Sequence, residues 1–438
     1  MLFVDAVIVL LAILIGVRKG GVALAFTGAA AMAILVFFCG LRPTANPPIT
    51  VMLIILAVTI MCGALQCAGG LNFLVHIAEK ILRRYPNYIT FLAPIITFLF
   101  VMFTGTAFIA MALLPVIAEV ALGVGVRPER PLSMTVVAAS HGISASPVSA
   151  ATAALLGMLI AYGVDLSQIL YVLVPSIFIG ICAGAFSVYW RGKNLADDPE
   201  FQRRVAAGLL KDVKANQTNY VPTKEAKLSV AIFGLAVGLI LILALFKNLL
   251  PTWVVNGKTV TISVAHVIEI ISMTGAGIIF YACNLKPADV AKSSVFNGGV
   301  VGVMVTFGLA WMADVFFAGH RGELVAMFGE FVQAYPWTFC VVLFMGAAVL
   351  TSQGATTAAF IPLGISLGVS PEYLIAMAPA VCAVCFFPVA PNLITAAALD
   401  RTGSTSLGTW VLNHSVMRPL LVTNITAIVV GFAIVSIL

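Results

Sequence analysis

The sequence predicts an all-α polytopic membrane protein built from two inverted-topology repeats. Of its 438 residues, 61% are hydrophobic and 9% are charged, whereas a soluble domain carries about 25% charged residues. Apolar runs recur along the chain, and their length is near the ~20 residues that a membrane-crossing helix needs. Two stretches roughly 245 residues apart share one interrupted pattern, which predicts the repeats. A membrane β-barrel is excluded because its strands would alternate polar and apolar residues.

The long apolar runs predict about ten full spans. The first has no basic region before it and is followed by Arg18-Lys19, so we interpret it as a span rather than a cleaved signal. The spans are expected at 2–17, 21–40, 51–68, 133–163, 166–190, 228–247, 262–282, 295–318, 371–399 and 407–437.

Two further apolar segments, 89–122 and 337–369, fit either a long tilted helix or a re-entrant hairpin. Both follow a Tyr-Pro pair and turn at their middle, at Thr104-Gly105-Thr106 and at 352–356. With the N-terminus outside and both segments re-entrant, eighteen basic residues lie inside and four outside. Basic residues collect on the cytoplasmic side of a membrane, and a crossing 89–122 would move two arginines outside. The charge distribution therefore favours two hairpins.

The resulting organisation has two repeats of opposite orientation, 1–190 and 228–438, joined by a polar linker, 191–227. Each repeat has three spans, a hairpin, a helix broken at its middle (133–163 or 371–399) and a last span. This topology predicts periplasmic N- and C-termini and a cytoplasmic linker. The amphipathic pieces Leu71–Arg84 and Gly322–Ala334 are expected to lie in the interface plane.

The four interruptions form the predicted binding site, because paired broken segments in two halves mark the binding site of a secondary transporter. A half-helix beginning there offers free N–H groups and a positive dipole end. Ser146-Pro147 is expected to start one half-helix, and Gly105 and Gly354 to permit tight turns and close backbone approach. None of the predicted substrate-binding residues is charged, which favours an anion such as a carboxylate: Thr104, Gly105, Thr106, Ser144, Ala145, Ser146, Ser149, Ser352, Gln353, Gly354, Ala355, Thr356, Pro388, Val389 and Asn392.

Three ionisable residues in or beside spans, Glu269, Asp314 and His141, are candidates for coupling transport to Na⁺ or H⁺. The alternative interpretation of Glu269 is a buried structural carboxylate, that of Asp314 is an interfacial residue, and that of His141 is a histidine that packs between helices. Cys382 and Cys385 form a lone C-x-x-C motif without a second ligand pair, so no metal site is expected. We predict no cofactor and no nucleic-acid partner.

Several motifs together resemble the anaerobic four-carbon dicarboxylate transporter (Dcu) family, in an order and spacing that cover nearly the whole chain. They are Arg83-Arg84 with Pro86, Leu114-Pro115-Val116-Ile117, Arg127-Pro128 with Arg130-Pro131, Ala145-Ser146-Pro147-Val148-Ser149, Ser352-Gln353, Asp400-Arg401-Thr402-Gly403 and Asn413-His414. The resemblance implies antiport of fumarate, malate or aspartate against succinate across the bacterial inner membrane by an elevator-like motion. The expected partners are a small dicarboxylate and the lipid bilayer, with a homodimer as a further expectation.

Two positions depart from the pattern of that family. The first hairpin tip has Ala107-Phe108 where the family usually has Gly followed by His or Asn. The second break has Val389-Ala390 where the family usually has Thr-Tyr. Both changes remove polar groups from the predicted site, so the preferred diacid is left open.

Three other functions are weighed against dicarboxylate exchange. A cation-coupled symporter of another carboxylate remains an alternative. An ion or proton antiporter on the same fold would be expected to place carboxylates at the breaks, and none is there. Ser144 near His141 faintly suggests an intramembrane hydrolase, but no third orienting group accompanies them. We therefore expect a transporter and not an enzyme.

Overall fold

The structure is a computed structural model that describes residues 1–19, 22–43, 47, 49–208, 210, 220–255, 258–408 and 413–437. Parts of the predicted linker 191–227 and of the predicted span 407–437 fall outside these residues. The described chain is mostly helical, as the sequence predicts.

Within its described residues, the first half of the chain forms nine α-helices up to the linker. Pro86–Tyr88 and Ile160–Tyr162 add single 3₁₀ turns before α5 and after α8. The helices are α1 (Leu2–Lys19), α2 (Ala23–Phe37), α3 (Ile49–Cys67), α4 (Gly70–Arg84), α5 (Ile89–Thr104), α6 (Phe108–Gly123), α7 (Glu129–Ser144), α8 (Ala150–Leu159) and α9 (Leu166–Tyr189).

The linker and second half contribute the remaining elements. A π-helical turn, Thr306–Ala310, lies within α14, and a 3₁₀ segment, Ala378–Cys385, follows α18 directly. The elements are α10 (Pro199–Ala206), α11 (Lys224–Leu245), β1 (Thr252–Val255), β2 (Lys258–Thr261), α12 (Val264–Ala282), α13 (Pro287–Lys292), α14 (Ser294–Gly319), α15 (Arg321–Ala334), α16 (Phe339–Leu350), α17 (Gln353–Ser366), α18 (Pro371–Met377), α19 (Pro391–Leu399) and α20 (Met417–Val435).

Among the described residues, seven helical stretches are long and apolar enough to cross a bilayer, or eight if one bent pair counts as a span. The bent pair is α15 with 336–350, where the axis turns by 114°. Tyr335 precedes Pro336, and a residue before proline is pushed out of the helical region. The multi-pass helical class is confirmed, whereas the expected number of about ten spans stays a prediction.

The helix interruptions fall where the sequence places them, but the first half-helix begins later than expected. α7 ends at Ser144 and α8 begins at Ala150. The predicted start at Ser146-Pro147 is wrong, because the Ser146 hydroxyl instead accepts a hydrogen bond from the Val148 N–H within the turn. Ser149 is the residue that caps α8: it is extended and accepts from the Thr152 N–H at 3.1 Å.

The two halves of the chain interlock through their short helices. α17 of the second half packs on α8 of the first, and α19 packs on α6. The long helices α9 and α20 also pack together, with Gly180 and Gly184 on α9 facing Thr423 on α20. An added β-carbon at Gly184 would lie 2.1 Å from the Thr423 hydroxyl oxygen, so only a glycine permits this approach. The ends of both hairpin segments and of both broken helices are therefore held in one core.

The linker is tied to the core by a partly buried ionic cluster. Arg127 pairs with Asp198 of the linker and with Glu129 at 2.8 Å, while Arg191 pairs with the other oxygen of Glu129 at 3.3 Å. Burial raises the pKa of the Asp198 carboxyl, but hydrogen bonds from Arg127 and from linker N–H groups outweigh it and hold this pKa below its usual value. The polar linker is thus a docked part of the fold in its first section.

Two elements differ from the sequence expectation. The last helix, α20, begins at Met417 and not near residue 407, because Asp400 accepts hydrogen bonds from Thr402, Ser404 and Thr405 and folds the chain after α19 into a polar turn. The exposed antiparallel hairpin β1–β2 between α11 and α12 was not predicted. Its strands have only four residues each, which is too short for a clear alternating pattern.

Candidate functional site

A cavity of about 480 Å³ lies where the helix interruptions of the two halves meet. Four helices present their first residues to it, namely α6 with Phe108, α8 with Ala150, α17 with Gln353 and α19 with Pro391. The first N–H groups of a helix have no intrahelical partner, and the aligned peptide dipoles place partial positive charge there. Among the described residues that line the cavity, none carries a charged side chain. Among the described lining residues, the helix ends are therefore the groups that can supply positive potential to the cavity.

The tip of the first hairpin segment packs against the first break. Gly105 ends α5 in the left-handed region, at φ +69°, and an added β-carbon would lie 2.6 Å from the Val148 carbonyl oxygen. The predicted close backbone approach therefore exists at Gly105. The Cys62 thiol of α3 contacts the Thr104 carbonyl oxygen at 3.3 Å and fixes the same tip from the other side.

The second hairpin segment is joined to α7 through Gln353. Its amide nitrogen donates to the Ser140 carbonyl at 2.7 Å and to the Ser140 hydroxyl at 2.8 Å, and its amide oxygen accepts from the Ser144 hydroxyl at 3.1 Å. Ser140 donates in turn to the Cys382 carbonyl at 3.1 Å. Gln353 thus lines the cavity, but its amide group is used to hold the start of α17 against the end of α7.

The turn of the second hairpin segment uses a residue that sequence reasoning missed. Gly354 was expected to make it, but Gly354 lies in the first turn of α17, since Ser352 caps that helix by accepting from the Ala355 N–H at 3.3 Å. The left-handed residue is Thr351, at φ +51°. A β-branched residue rarely adopts this conformation, which costs about 1–2 kcal/mol. Thr351 lines the cavity, and its hydroxyl has no hydrogen-bond partner among the described residues.

The cavity brings together about half of the residues nominated from the sequence. Thr104, Gly105, Thr106, Ser352, Gln353, Gly354, Val389 and Asn392 line it. Asn392, half-buried at the start of α19, has no side-chain hydrogen bond within the described part of the chain.

The other nominated residues lie behind the cavity wall. Ala145, Ser146 and Ser149 are buried in the first break, and the Thr356 hydroxyl donates back to the Ser352 carbonyl at 2.7 Å. They shape the helix ends, and Ser144, Ala355 and Pro388 likewise do not line the cavity.

None of the three candidate coupling residues lines this cavity. His141 is fully buried, with Nδ1 2.9 Å from the Val137 carbonyl oxygen. Glu269 lies on α12 and Asp314 on α14, both away from the cavity lining. The roles of these three residues in ion coupling remain predictions, and such coupling would act without direct contact between them and the cavity.

The sequence analysis did not identify the opposite wall of the cavity, which α3 and α14 form. Gly299 of α14 packs directly on Thr59 of α3, where an added β-carbon would meet the threonine at 2.1 Å. At their ends, the Gln66 amide exchanges hydrogen bonds with the Ser294 hydroxyl at 2.8 and 3.2 Å. Apolar residues within uninterrupted spans have no pattern that separates a cavity wall from ordinary helix packing. Gly299, near the start of the predicted span 295–318, is the one sequence feature that could have indicated this close helix packing.

The family model for anaerobic C4-dicarboxylate membrane transporters matches residues 1–438. Among curated proteins, the chain is 38% identical over 442 residues to the C4-dicarboxylate transporter DcuA of Wolinella succinogenes, with all of both chains covered. It is 36% identical to the DcuA protein of Escherichia coli strain K12, covering 100% of this chain and 99% of the relative. It is 34% identical to the anaerobic C4-dicarboxylate transporter DcuB of Escherichia coli O157:H7, covering 99% and 98%.

Two solved transporter structures share the fold at low sequence identity. The YdaH transporter of Alcanivorax borkumensis aligns with a TM-score of 0.57 at 15% identity, covering 92% of this chain and 87% of that one. MtrF of Neisseria gonorrhoeae aligns with a TM-score of 0.51 at 14% identity, covering 93% and 84%. The full-length family match and the identities above 30% settle the classification. The chain belongs to the family of anaerobic C4-dicarboxylate membrane transporters, and it is a multi-pass membrane transporter, not an enzyme.

Proposed function

We propose that this chain exchanges small C4-dicarboxylates, such as fumarate, malate, aspartate and succinate, across the bacterial inner membrane. The observation that carries the proposal is the convergence of four helix N-termini, two from each half of the chain, on one cavity without charged side chains. A helix N-terminus is a ready-made anion site. Two pairs of such ends suit a ligand with two carboxylates, and the names of the curated relatives give the same substrate class.

The absence of a fixed countercharge among the described lining residues suits a ligand that must leave again. A lysine or arginine would form a charge-assisted bond about twice as strong as a neutral one. Backbone dipoles bind a dianion without forming this stronger bond, so the ligand can dissociate. Exchange of one diacid for another follows naturally, because the cavity refills with an equivalent ligand before the protein reorients.

The elevator motion belongs to the same proposal. The helix ends that face the ligand lie on the two hairpin segments and two broken helices, while the opposite wall is the α3–α14 pair, locked by Gly299 on Thr59 and by Gln66. We propose that the α3–α14 wall stays fixed and that the hairpins and broken helices, 89–163 and 337–399, carry the ligand past it. We propose that the fixed wall is anchored in a homodimer that forms through the outer helices. The mass of the purified protein in detergent tests whether it is a dimer.

Counterflow in liposomes tests the proposed exchange. Purified protein in liposomes preloaded with succinate should take up labelled fumarate, malate and aspartate rapidly, whereas empty liposomes should take up little. A sodium or proton gradient imposed on empty liposomes separates exchange from cation-coupled symport. Uptake that needs the gradient and ignores internal succinate would contradict exchange and favour the symport alternative.

The membrane orientation is tested by thiol labelling. The proposed topology puts both termini in the periplasm, the linker in the cytoplasm, the first hairpin open to the inside and the second open to the outside. Single cysteines introduced at Arg127 or Ser370, in a background without the native cysteines, should react with an impermeant reagent from the inside and the outside respectively. Because Arg127 belongs to the linker cluster, a cysteine at the nearby exposed Gly123, whose backbone lies outside the left-handed region, serves as its control. Reaction of both positions from the same side would rule out inverted repeats.

A further inference from the structure

A second, smaller cavity of about 290 Å³ adjoins the first. The two share a wall that includes Ile55, Ala150, Gly298 and Thr351. Beyond this wall the small cavity, here called the side cavity, extends between α2, α14, α16 and α17. It is lined there by Leu24, Val301, Gly302, Val305, Leu350 and Ala355. Its lining there is apolar apart from Thr306.

Beyond the shared wall, the side cavity has no free hydrogen-bonding side chain among its described lining residues. Thr306 donates its hydroxyl to the Gly302 carbonyl at 2.8 Å, so that side chain is satisfied within its own helix. The remaining hydroxyls, on Thr351 and Ser352, stand at the boundary with the main cavity. Thr306 also begins the π-helical turn of α14, and such turns are frequent at functional sites.

The main cavity is apolar between its helix ends as well. Phe108 and Val389 both line it and are 39% and 57% exposed. Neither offers a hydrogen bond to the middle of a bound diacid. A hydroxyl or ammonium group there must find one of the few free polar side chains, since burying it without a partner is unfavourable. An apolar substituent needs no partner.

We propose that the side cavity is a substituent subsite, and that this transporter takes four-carbon diacids with an apolar group of a few carbons on C2. The two carboxylates would sit at the helix N-termini and the substituent would pass Thr351 into the side cavity. This proposal rests on the proposed dicarboxylate function and names the substrate class within it. The strained conformation of Thr351 then has a use, because it keeps the residue at the junction of the two cavities.

The test is inhibition of labelled succinate uptake by unlabelled succinate, 2-methylsuccinate, 2-propylsuccinate and malate. Each buried methylene should tighten binding by about fourfold, so 2-propylsuccinate is expected to inhibit at least tenfold more strongly than succinate, and malate more weakly. The matched variant is Gly302→Leu. An added β-carbon at Gly302 has one neighbour within 4 Å, Ile55 at 3.9 Å, so a leucine there grows into the side cavity.

Gly302→Leu is expected to remove the advantage of 2-propylsuccinate while changing succinate inhibition less than threefold. Gly302→Ala should remove part of it. Gly238→Leu is the control, since Gly238 lies on α11 with no atom within 4 Å of an added β-carbon and lines neither cavity. Equal inhibition by succinate and 2-propylsuccinate in the unmodified protein, or an unchanged advantage in Gly302→Leu, would overturn the subsite and leave the dicarboxylate function standing. Failure of succinate itself to inhibit would overturn both.

Discussion

Replacement of Gly105 by alanine is expected to abolish substrate uptake. The backbone of Gly105 is left-handed, which costs a residue with a side chain about 1–2 kcal/mol. The new β-carbon would also lie 2.6 Å from the Val148 carbonyl oxygen, and a backbone carbonyl cannot rotate away as a flexible side chain can. The tip of the first hairpin segment must therefore move away from the first break, and two of the four helix ends lose their alignment.

The matched control is Gly123→Ala, at the other end of α6. Gly123 has no atom within 4 Å of an added β-carbon, and its backbone lies outside the left-handed region. This variant should transport normally and be slightly more stable, because alanine favours a helix by up to about 1 kcal/mol over glycine. Initial uptake rates and thermal midpoints in detergent measure both effects. Normal uptake by the Gly105→Ala protein would contradict the packing of the hairpin tip on the break.

Asn392→Ala should weaken substrate binding without unfolding the protein. The Asn392 amide lines the cavity and has no side-chain partner within the described residues, so its donors are available to a carboxylate. A hydrogen bond to a charged group contributes about 1.5–3 kcal/mol, which corresponds to a roughly 10- to 150-fold rise in the dissociation constant.

Ser366→Ala is the control for Asn392→Ala. The Ser366 hydroxyl donates to the Leu363 carbonyl at 2.8 Å within α17 and does not line the cavity. Equilibrium binding of labelled succinate to both purified variants measures the difference. If the two variants bind succinate equally well, Asn392 does not contact the substrate.

The helix breaks could be located from the sequence because each depends on residues that change the backbone locally. Proline removes a backbone donor, glycine permits a left-handed turn, and serine caps a helix, so each leaves a mark in the sequence. The turn after α5 and the one before α19 are found this way. The same reasoning chose the wrong one of two serines at the start of α8, Ser146 instead of Ser149, since both are good caps by residue type. The choice of Ser149 was decided by the turn that Ser146 makes with Val148.

The rest of the site depends on tertiary contacts that leave no local mark. Thr351 is left-handed although threonine does not favour that conformation, so its role in the second turn was hidden. Gln353 was nominated as a ligand, and its three hydrogen bonds to Ser140 and Ser144 could be known only once α7 and α17 were placed together. The α3–α14 wall and the side cavity are likewise products of packing.

The central claim is that paired helix N-termini hold a ligand by both of its carboxylates, and competition between succinate and butyrate tests it most directly. The two acids have the same four-carbon chain, but butyrate leaves one pair of helix ends facing water or an empty position. Unpaired buried polar groups cost about 1–3 kcal/mol each, so butyrate should need a roughly 100-fold higher concentration than succinate to displace labelled fumarate at pH 7. The account predicts that ratio. Displacement by butyrate at the same concentration as succinate would contradict it.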